Sequence, residues 1–406
     1  MGNEVRVVVI GSNFAGFTSA LEIRRQLDQE KIENHVVVLS NSDKFLFVPS
    51  LIWVPFGERE IEDITIPISD ILKGKGIEFV NAAATKIDPQ NKNVEADNGS
   101  SFQFDYLVIA TGFKLDWSIQ GLGPHAFTQC VCTPNDALML RKAFEDLVKN
   151  PGPVIVGATQ RAGCIGAAYE FLLNMDYHLR KHNVRHKVDL TFISPEPFLG
   201  HFGIGGLPGA EKLIKEFFDH LDIKSITNAE IDHAEPGKIV LTQGQELEAA
   251  LAMIVPPFIG QDVIFNSPGI GDASGLIPVT DTYQHVNYPF IFSAGAAISV
   301  PSPFITPVAV GVPKTGYPAD AEAKVVAQNV VLLASHNAHL SHRPFAQLPA
   351  LCVMDAGHKE VLILANHLFP PRDHAVLLPN PIYDAGKRVF EHYYLWKVKH
   401  GLSFLP

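Results

Sequence analysis

Near the amino terminus, VVVIGSNFAGFTSALEI runs from an apolar strand through a turn into a helix, with Gly11 and Gly16 at the outer positions of a G-x-G-x-x-G pattern. Gly11 permits a tight turn and Gly16 lets the helix pack closely on the strand. The helix N-terminus, with Phe14 and Ala15 in its first turn, attracts a pyrophosphate. Asn13 replaces the middle glycine, and Asn tolerates positive φ better than most residues. The pattern predicts a dinucleotide site at the start of a parallel sheet. The second strand ends at Leu39-Ser40 without the usual ribose-binding carboxylate, which leaves Ser40, Asn41 or Asp43 for that contact.

Further apolar runs, rich in Val and Ile and bounded by Gly, Pro or Asn, recur at His35 to Leu39, Tyr106 to Ala110, Pro153 to Val156, Val188 to Ile193 and Phe290 to Ala294. Helical periodicity lies between them at Phe17 to Leu27, Asn135 to Val148 and Ala167 to Arg180. This alternation predicts an α/β fold of doubly wound layers. The openings at Val5 and Pro153 read as two related Rossmann-like domains. From Ser335 the chain turns Pro-rich and His-rich, then offers a strand at Glu360 to Leu364 and the aromatic tail FEHYYLWKVKHGLSFLP, which reads as a third unit.

The 406 residues suffice for two or three domains. Charged residues make up only 18%, against about 25% in typical soluble proteins. A net charge of −11 and the lack of any Lys/Arg-rich run argue against nucleic acid as a partner. The opening MGNEVRVVVIG has none of the regions of a secretory signal peptide. Between Asp281 and Lys314 lie 32 uncharged residues, but Pro289, Pro301, Pro303, Pro307 and Pro313 break any transmembrane helix there. Residues 361–406 differ from the rest, with five Lys/Arg, three Asp/Glu and seven aromatics, a composition suited to a membrane surface.

In FDYLVIATGFK a strand closes on Ala110, Thr111 and Gly112, where backbone can approach a flavin closely. In this order after a glycine-rich start, it points to the two-dinucleotide-domain flavoproteins and to FAD. The second strand-turn-helix, PGPVIVGATQRAGCIGAAYEF, lacks closely spaced glycines after Gly157, which argues against NAD(P)H as the reductant. Four cysteines are too few for a disulfide framework. Cys164 falls at a predicted helix N-terminus, where the dipole lowers a thiol pKa. Cys352, in PALCVMDAGHKE, lies between prolines and a strand. Each cysteine is either a reactive thiol or a small buried hydrophobe. Cys130 and Cys132 have no partner pair at ligand spacing, so no metal site is expected.

On these residues the chain resembles the sulfide:quinone oxidoreductases over essentially its whole length. The resemblance is carried by DKFLFVPSLIWVPFGERE, CTPNDA, GCIGAAYE, SPEPFLGHFGIGG, GVPKTGY and VFEHYYLWKVKHG, and by the 32-residue spacing of Cys132 and Cys164. It implies a peripheral, monotopic membrane flavoprotein that oxidises sulfide to polysulfide and reduces ubiquinone, menaquinone or a similar quinone, with a homo-oligomer compatible. By resemblance Cys164 and Cys352 form the redox pair, Cys132 acts in sulfur release or flavin attachment, and His201 and Glu170 are acid–base candidates. Pro49, Gly295 and Lys314 join the FAD contacts. Phe390 stacks on the quinone, with Lys387, Leu351, Val353 and Asp320 around it. From the residues alone, Val389, Phe390 and Tyr393 equally suit an amphipathic helix packed into the core. The expected division is residues 1–115 and 268–334 for FAD, 116–267 for a second Rossmann-like domain carrying Cys132 and Cys164, and 335–406 for quinone and membrane contact.

Three positions depart from the family pattern. Asp136 stands where many members carry histidine, Asp320 where a glutamate is usual, and the sequence stops at Pro406 where members often continue into amphipathic helices. Either anchoring falls to the Tyr393 to Phe404 surface alone, or the sequence is short of such helices. The rival readings are an NADH:quinone oxidoreductase of the same fold and a flavin-binding redox sensor without turnover.

Overall fold

The structure is a computed structural model that describes residues 4–357, 360–380 and 385–403. Phe404 of the expected tail surface, and His358 and Lys359 beside the Cys352 segment, lie outside these residues. Nine parallel strands form two sheets: β1 (Val5–Ile10), β2 (Asn34–Ser40), β3 (Glu78–Asn81), β4 (Tyr106–Ile109), β5 (Val154–Ala158), β6 (Leu190–Ile193), β7 (Ile223–Ile226), β8 (Leu251–Val255) and β9 (Ile291–Ser293). The first sheet has the order β9-β4-β1-β2-β3 and the second β7-β6-β5-β8. Both doubly wound layers follow the expectation from the apolar runs. Such runs arise because residues 7–10 of β1 and all of β5 are buried, with cover on both faces. The run expected from Val188 starts as a strand only at Leu190, because Arg185–Lys187 coils into a 3-10 turn.

Five helices place the site: α1 (Phe14–Gln29), α2 (Pro134–Lys149), α3 (Ile165–Lys181), α4 (Gly316–Ala334) and α5 (Gly386–Lys399). Gly16 acts as expected, since a Cβ there would stand 2.0 Å from the carbonyl oxygen of Gly11. Asn13 is chosen for another reason than the one its residue type suggests. Its φ is −95°, which any residue adopts, and its Oδ1 accepts the Leu46 N–H at 3.3 Å, tying the turn to the next loop.

The C-terminal unit is an antiparallel sheet of β10 (Ala350–Asp355), β11 (Glu360–Ala365) and β12 (Ala375–Asn380), followed by α5. Only β11 was expected. Cys352 lies within a strand, not before one, and pairs in register with Ile363. The tail expected as a basic, aromatic surface is partly interior: Lys387, Tyr394 and Lys397 are buried, and α5 is held down by them.

One buried acid joins three helices. Asp320 of α4 accepts hydrogen bonds from Thr18 of α1 at 2.6 Å and from Tyr394 and Lys397 of α5 at 3.2 and 3.4 Å. Removing it leaves the Lys397 ammonium buried without its carboxylate. Asp320→Ala is therefore expected to lower unfolding stability by about 3–5 kcal/mol, read by denaturant titration; a loss below about 1 kcal/mol would show that the pair is replaceable.

Candidate active site

A cavity of about 870 Å³ opens at the carboxyl ends of the first sheet and reaches the start of α3, the face of β10 and the first turns of α5. Crevices at this edge of an open α/β sheet are where ligands bind. Gly11, Asn13, Phe14, Ala15, Ser40, Asn41, Pro49, Ala110, Thr111, Gly112, Gly295 and Lys314 all line it. Gly16 does not; its part is to let α1 approach the turn.

The lining fits a flavin dinucleotide on several counts. Gly11 (φ +105°) and Gly112 (φ +70°) hold conformations that favour glycine, and the space a Cβ would fill at Gly112 is open. Thr111 Oγ1 is buried with no partner of its own, a polar atom left for a ligand. Ser40 accepts a hydrogen bond from Ser12 Oγ at 2.9 Å and fixes the end of β2 beside Asn41. Lys314 donates to the Ile298 carbonyl at 2.7 Å, and burial pulls its ammonium down to about 8. Glu322, which sequence reasoning missed, accepts the Gly295 N–H at 2.5 Å, and burial pushes its carboxyl up to about 8. No motif around Glu322 marks it, because its partner is a backbone amide 27 residues away in sequence.

Three cysteines reach the same cavity from separate elements: Cys132 before α2, Cys164 as the residue capping α3, and Cys352 on β10. Cys352 is exposed and lines this space. Burial pushes its thiol up to about 12, with the Glu170 charge and Cys164 adding to the effect. Cys164 corrects the expectation drawn from its helix. Burial raises its pKa, and the Ala167 and Gly166 amides only oppose this. A helix terminus contributes about 0.3–1 kcal/mol, too little to offset loss of water around a thiolate. Cys130 is fully buried behind Cys132, and its hydrogen bond, followed by burial, raises the Cys132 thiol well above the ordinary range.

Beside Cys352, Leu351 and Val353 line the cavity with Phe390 and Lys387 of α5 and Glu170 of α3. The Lys387 ammonium is ion-paired with Glu170, whose carboxyl burial nonetheless raises. Two candidates are not part of this lining. His201 is buried edge-on between Phe198 and Phe304, with its pKa lowered by burial, although the neighbouring Phe202 and Ile204 do reach the cavity. Asp320, expected near the quinone, is buried instead in the α1-α4-α5 junction, because Thr18, Tyr394 and Lys397 take up its carboxylate. Asp136, at the position of the missing histidine, is not part of the lining; its amide is capped by Thr133 at 3.2 Å, and its charge adds to the rise of the Cys132 thiol. Among the described residues no cluster of His, Cys, Asp and Glu could hold a metal.

The loop after β5, where a second dinucleotide would lie, is closed by the chain itself. The amides of Thr159, Arg161 and Gly163 donate to the carbonyls of Val255, Ala309 and Pro256 at 3.0, 2.7 and 3.2 Å. A Cβ on Gly163 would stand 2.2 Å from the Phe258 ring. Three of the amides this loop could offer a pyrophosphate are thus already used.

Comparison with known proteins agrees with this geometry. Residues 5–322 match the pyridine nucleotide-disulphide oxidoreductase family. The sulfide-quinone reductase of Aquifex aeolicus is 34% identical over 97% of this chain and 91% of its own length. A mitochondrial sulfide:quinone oxidoreductase of Dictyostelium discoideum is 26% identical over 74% of this chain and 67% of its own. The X-ray structure of the Aquifex aeolicus sulfide:quinone oxidoreductase superposes with a TM-score of 0.93 at 33% identity, covering 98% of this chain and 92% of that one. An NDH2 from Plasmodium falciparum in complex with NADH shares the fold with a TM-score of 0.71 at 15% identity, over 98% of this chain and 96% of that one. The chain belongs to the pyridine nucleotide-disulphide oxidoreductases and, among them, to the sulfide:quinone oxidoreductases, FAD-dependent flavoproteins.

Proposed function

We propose that this protein oxidises sulfide to polysulfide and passes the electrons to a quinone, with Cys164 and Cys352 as the redox pair. The observation that carries the reading is the meeting of Cys132, Cys164 and Cys352 with Lys387 and Phe390 in the cavity that the glycine turns of the first sheet open into. Both cysteines are free in the structure, with thiols raised by burial; in the oxidised, bridged pair neither sulfur is a nucleophile, and hydrosulfide is the attacking group. It attacks one sulfur of a Cys164–Cys352 bridge, leaving a persulfide on one residue and displacing the other as thiolate. The Cys132 thiolate then attacks the outer sulfur of that persulfide, taking it as a persulfide of its own and releasing the pair's cysteine as thiolate. FAD, which the Gly11 and Gly112 turns and Thr111 would hold, would supply the two-electron acceptor for re-bridging of the pair and the donor for quinone. Leu351, Val353 and Phe390 give the quinone ring an apolar bed. Lys387 stabilises the oxyanion that develops on its oxygen, with Glu170 holding the ammonium in place.

The quinone is drawn from a bilayer. No helix among the described residues is long and apolar enough to cross one. Leu364, Val376 and Leu378 of the C-terminal sheet and Val389 and Trp396 of α5 are exposed, and with Lys399 they form the surface we assign to peripheral membrane contact.

Anaerobic sulfide should bleach the flavin near 450 nm, and a quinone analogue should restore it. Bleaching by NADH but not sulfide supports the NADH:quinone alternative, consistent with neither the thiols nor the closed loop; sulfide bleaching without quinone reoxidation supports a sensor. Cys164→Ser and Cys352→Ser should each slow flavin reduction by at least about 100-fold, since covalent catalysis through the pair is lost. Phe390→Ala should slow reoxidation alone, and equal loss in both half-reactions would assign it to packing. The raised thiol of Cys352 gives a pH test. A pKa above the ordinary value means less thiolate at any given pH, so alkylation of reduced Cys352 by iodoacetamide should climb from about pH 7 through about pH 10 without levelling. A midpoint near about pH 8.5, the value of an unperturbed thiol, with levelling by about pH 10, would contradict it.

A further inference from the structure

The segment DKFLFVPSLIWVPFGERE leaves one residue without a place in the chemistry above. Trp53 is carried by a 3-10 helix, Val48–Phe56, with prolines at 49 and 55, and is only 1% exposed. Its indole N–H donates to Asp355 Oδ2 at 2.5 Å, three residues after Cys352 on β10. Three cations lie 4.9 Å from its ring: the Lys387 ammonium and the guanidiniums of Arg59 and Arg388. Each cation has a carboxylate as well. Arg59 pairs with Glu391 at 2.9 Å, Arg388 with Glu58 at 2.6 Å, and Lys387 with Glu170.

A lysine ammonium is a point charge on a flexible stem, and one carboxylate does not fix its direction. The indole face adds a second fixed attraction. Glu170 is itself held from β10, since its Oε1 accepts the Asp355 N–H at 3.1 Å. Asp355 therefore touches both groups that hold the lysine. Its side chain anchors Trp53 and its amide anchors Glu170. We propose that Trp53, locked by Asp355, is the positioning residue that aims the Lys387 ammonium into the cavity for quinone reduction. The inference rests on the quinone reading given above and adds to it. It assigns to the sulfur-bearing strand β10 the task of setting the geometry of the quinone-side lysine on α5.

The test separates the half-reactions in the FAD-loaded protein by stopped flow, with sulfide as reductant and a short-chain ubiquinone analogue as oxidant. Trp53→Leu, which removes both the cation-binding face and the N–H, should raise the quinone KM and slow reoxidation by at least about ten-fold in kcat/KM. Reduction by sulfide should stay within about two-fold of the unaltered protein. Trp53→Phe restores an aromatic face and should recover most of the loss. The proposal is overturned if Trp53→Phe is as slow as Trp53→Leu, or if both half-reactions fall together. If the unaltered protein is reduced by sulfide yet not reoxidised by quinone, the quinone reading itself fails and takes the inference with it. Should Trp53→Leu not retain FAD, a double-mutant cycle of Trp53→Met, which also removes the aromatic face, with Lys387→Gln decides. Coupling of at least about two-fold in reoxidation supports the proposal, and purely multiplicative effects overturn it.

Discussion

The contact on which the rest of the molecule depends is that of α1 with the turn that follows β1. With glycine at position 16, the helix backbone approaches the Gly11 carbonyl more closely than any side chain allows, since an added Cβ would stand 2.0 Å away. That approach opens the crevice at the end of the first sheet. It also sets α1 where α4 can pack against it and where Thr18 can meet Asp320. Asp320 in turn holds Lys397 and Tyr394, and so fixes α5. Lys387 and Phe390 are thus placed, through the α1-α4-α5 junction, by a glycine near the amino terminus.

Burial governs the electrostatics of the cavity. Cys164 has the helix position of an activated thiol, yet loss of solvent outweighs the amides at the helix end and keeps it protonated. The same cause raises Cys352, Glu170 and Glu322 and lowers Lys314. A site of this kind favours neutral side chains at rest. Charge is held only where pairs are built, as between Lys387 and Glu170, and their partners come from different elements.

Much of this could be read from the chain itself where the signal is local. The two parallel sheets appear as apolar runs because their strands are covered on both faces, and the turns at Gly11 and Gly112 appear because few other residues adopt those angles. β10 and β12 escaped notice. Residues 350–354 of β10 all line the cavity, and the apolar runs ALCVM and AVLL are short and bordered by Pro349 and Pro379, so neither reads as a core strand. The cysteines were identified by their resemblance to a family, and the reason the resemblance holds is spatial: three distant segments converge on one cavity.

The sequence by itself determined the α/β layering, the dinucleotide turn and the identity of the thiols, because each depends on residues close together in the chain or on residue type. Tertiary structure alone decided which charges are interior, that His201 and Asp320 are kept from the cavity lining, and that Asp355 bonds both Trp53 and Glu170, the two groups that meet Lys387. Those outcomes depend on desolvation and on contacts across some 300 residues of chain, as between Trp53 and Asp355, 302 positions apart. No local pattern encodes them, since a partner so distant leaves no mark on the residues beside either member of the pair.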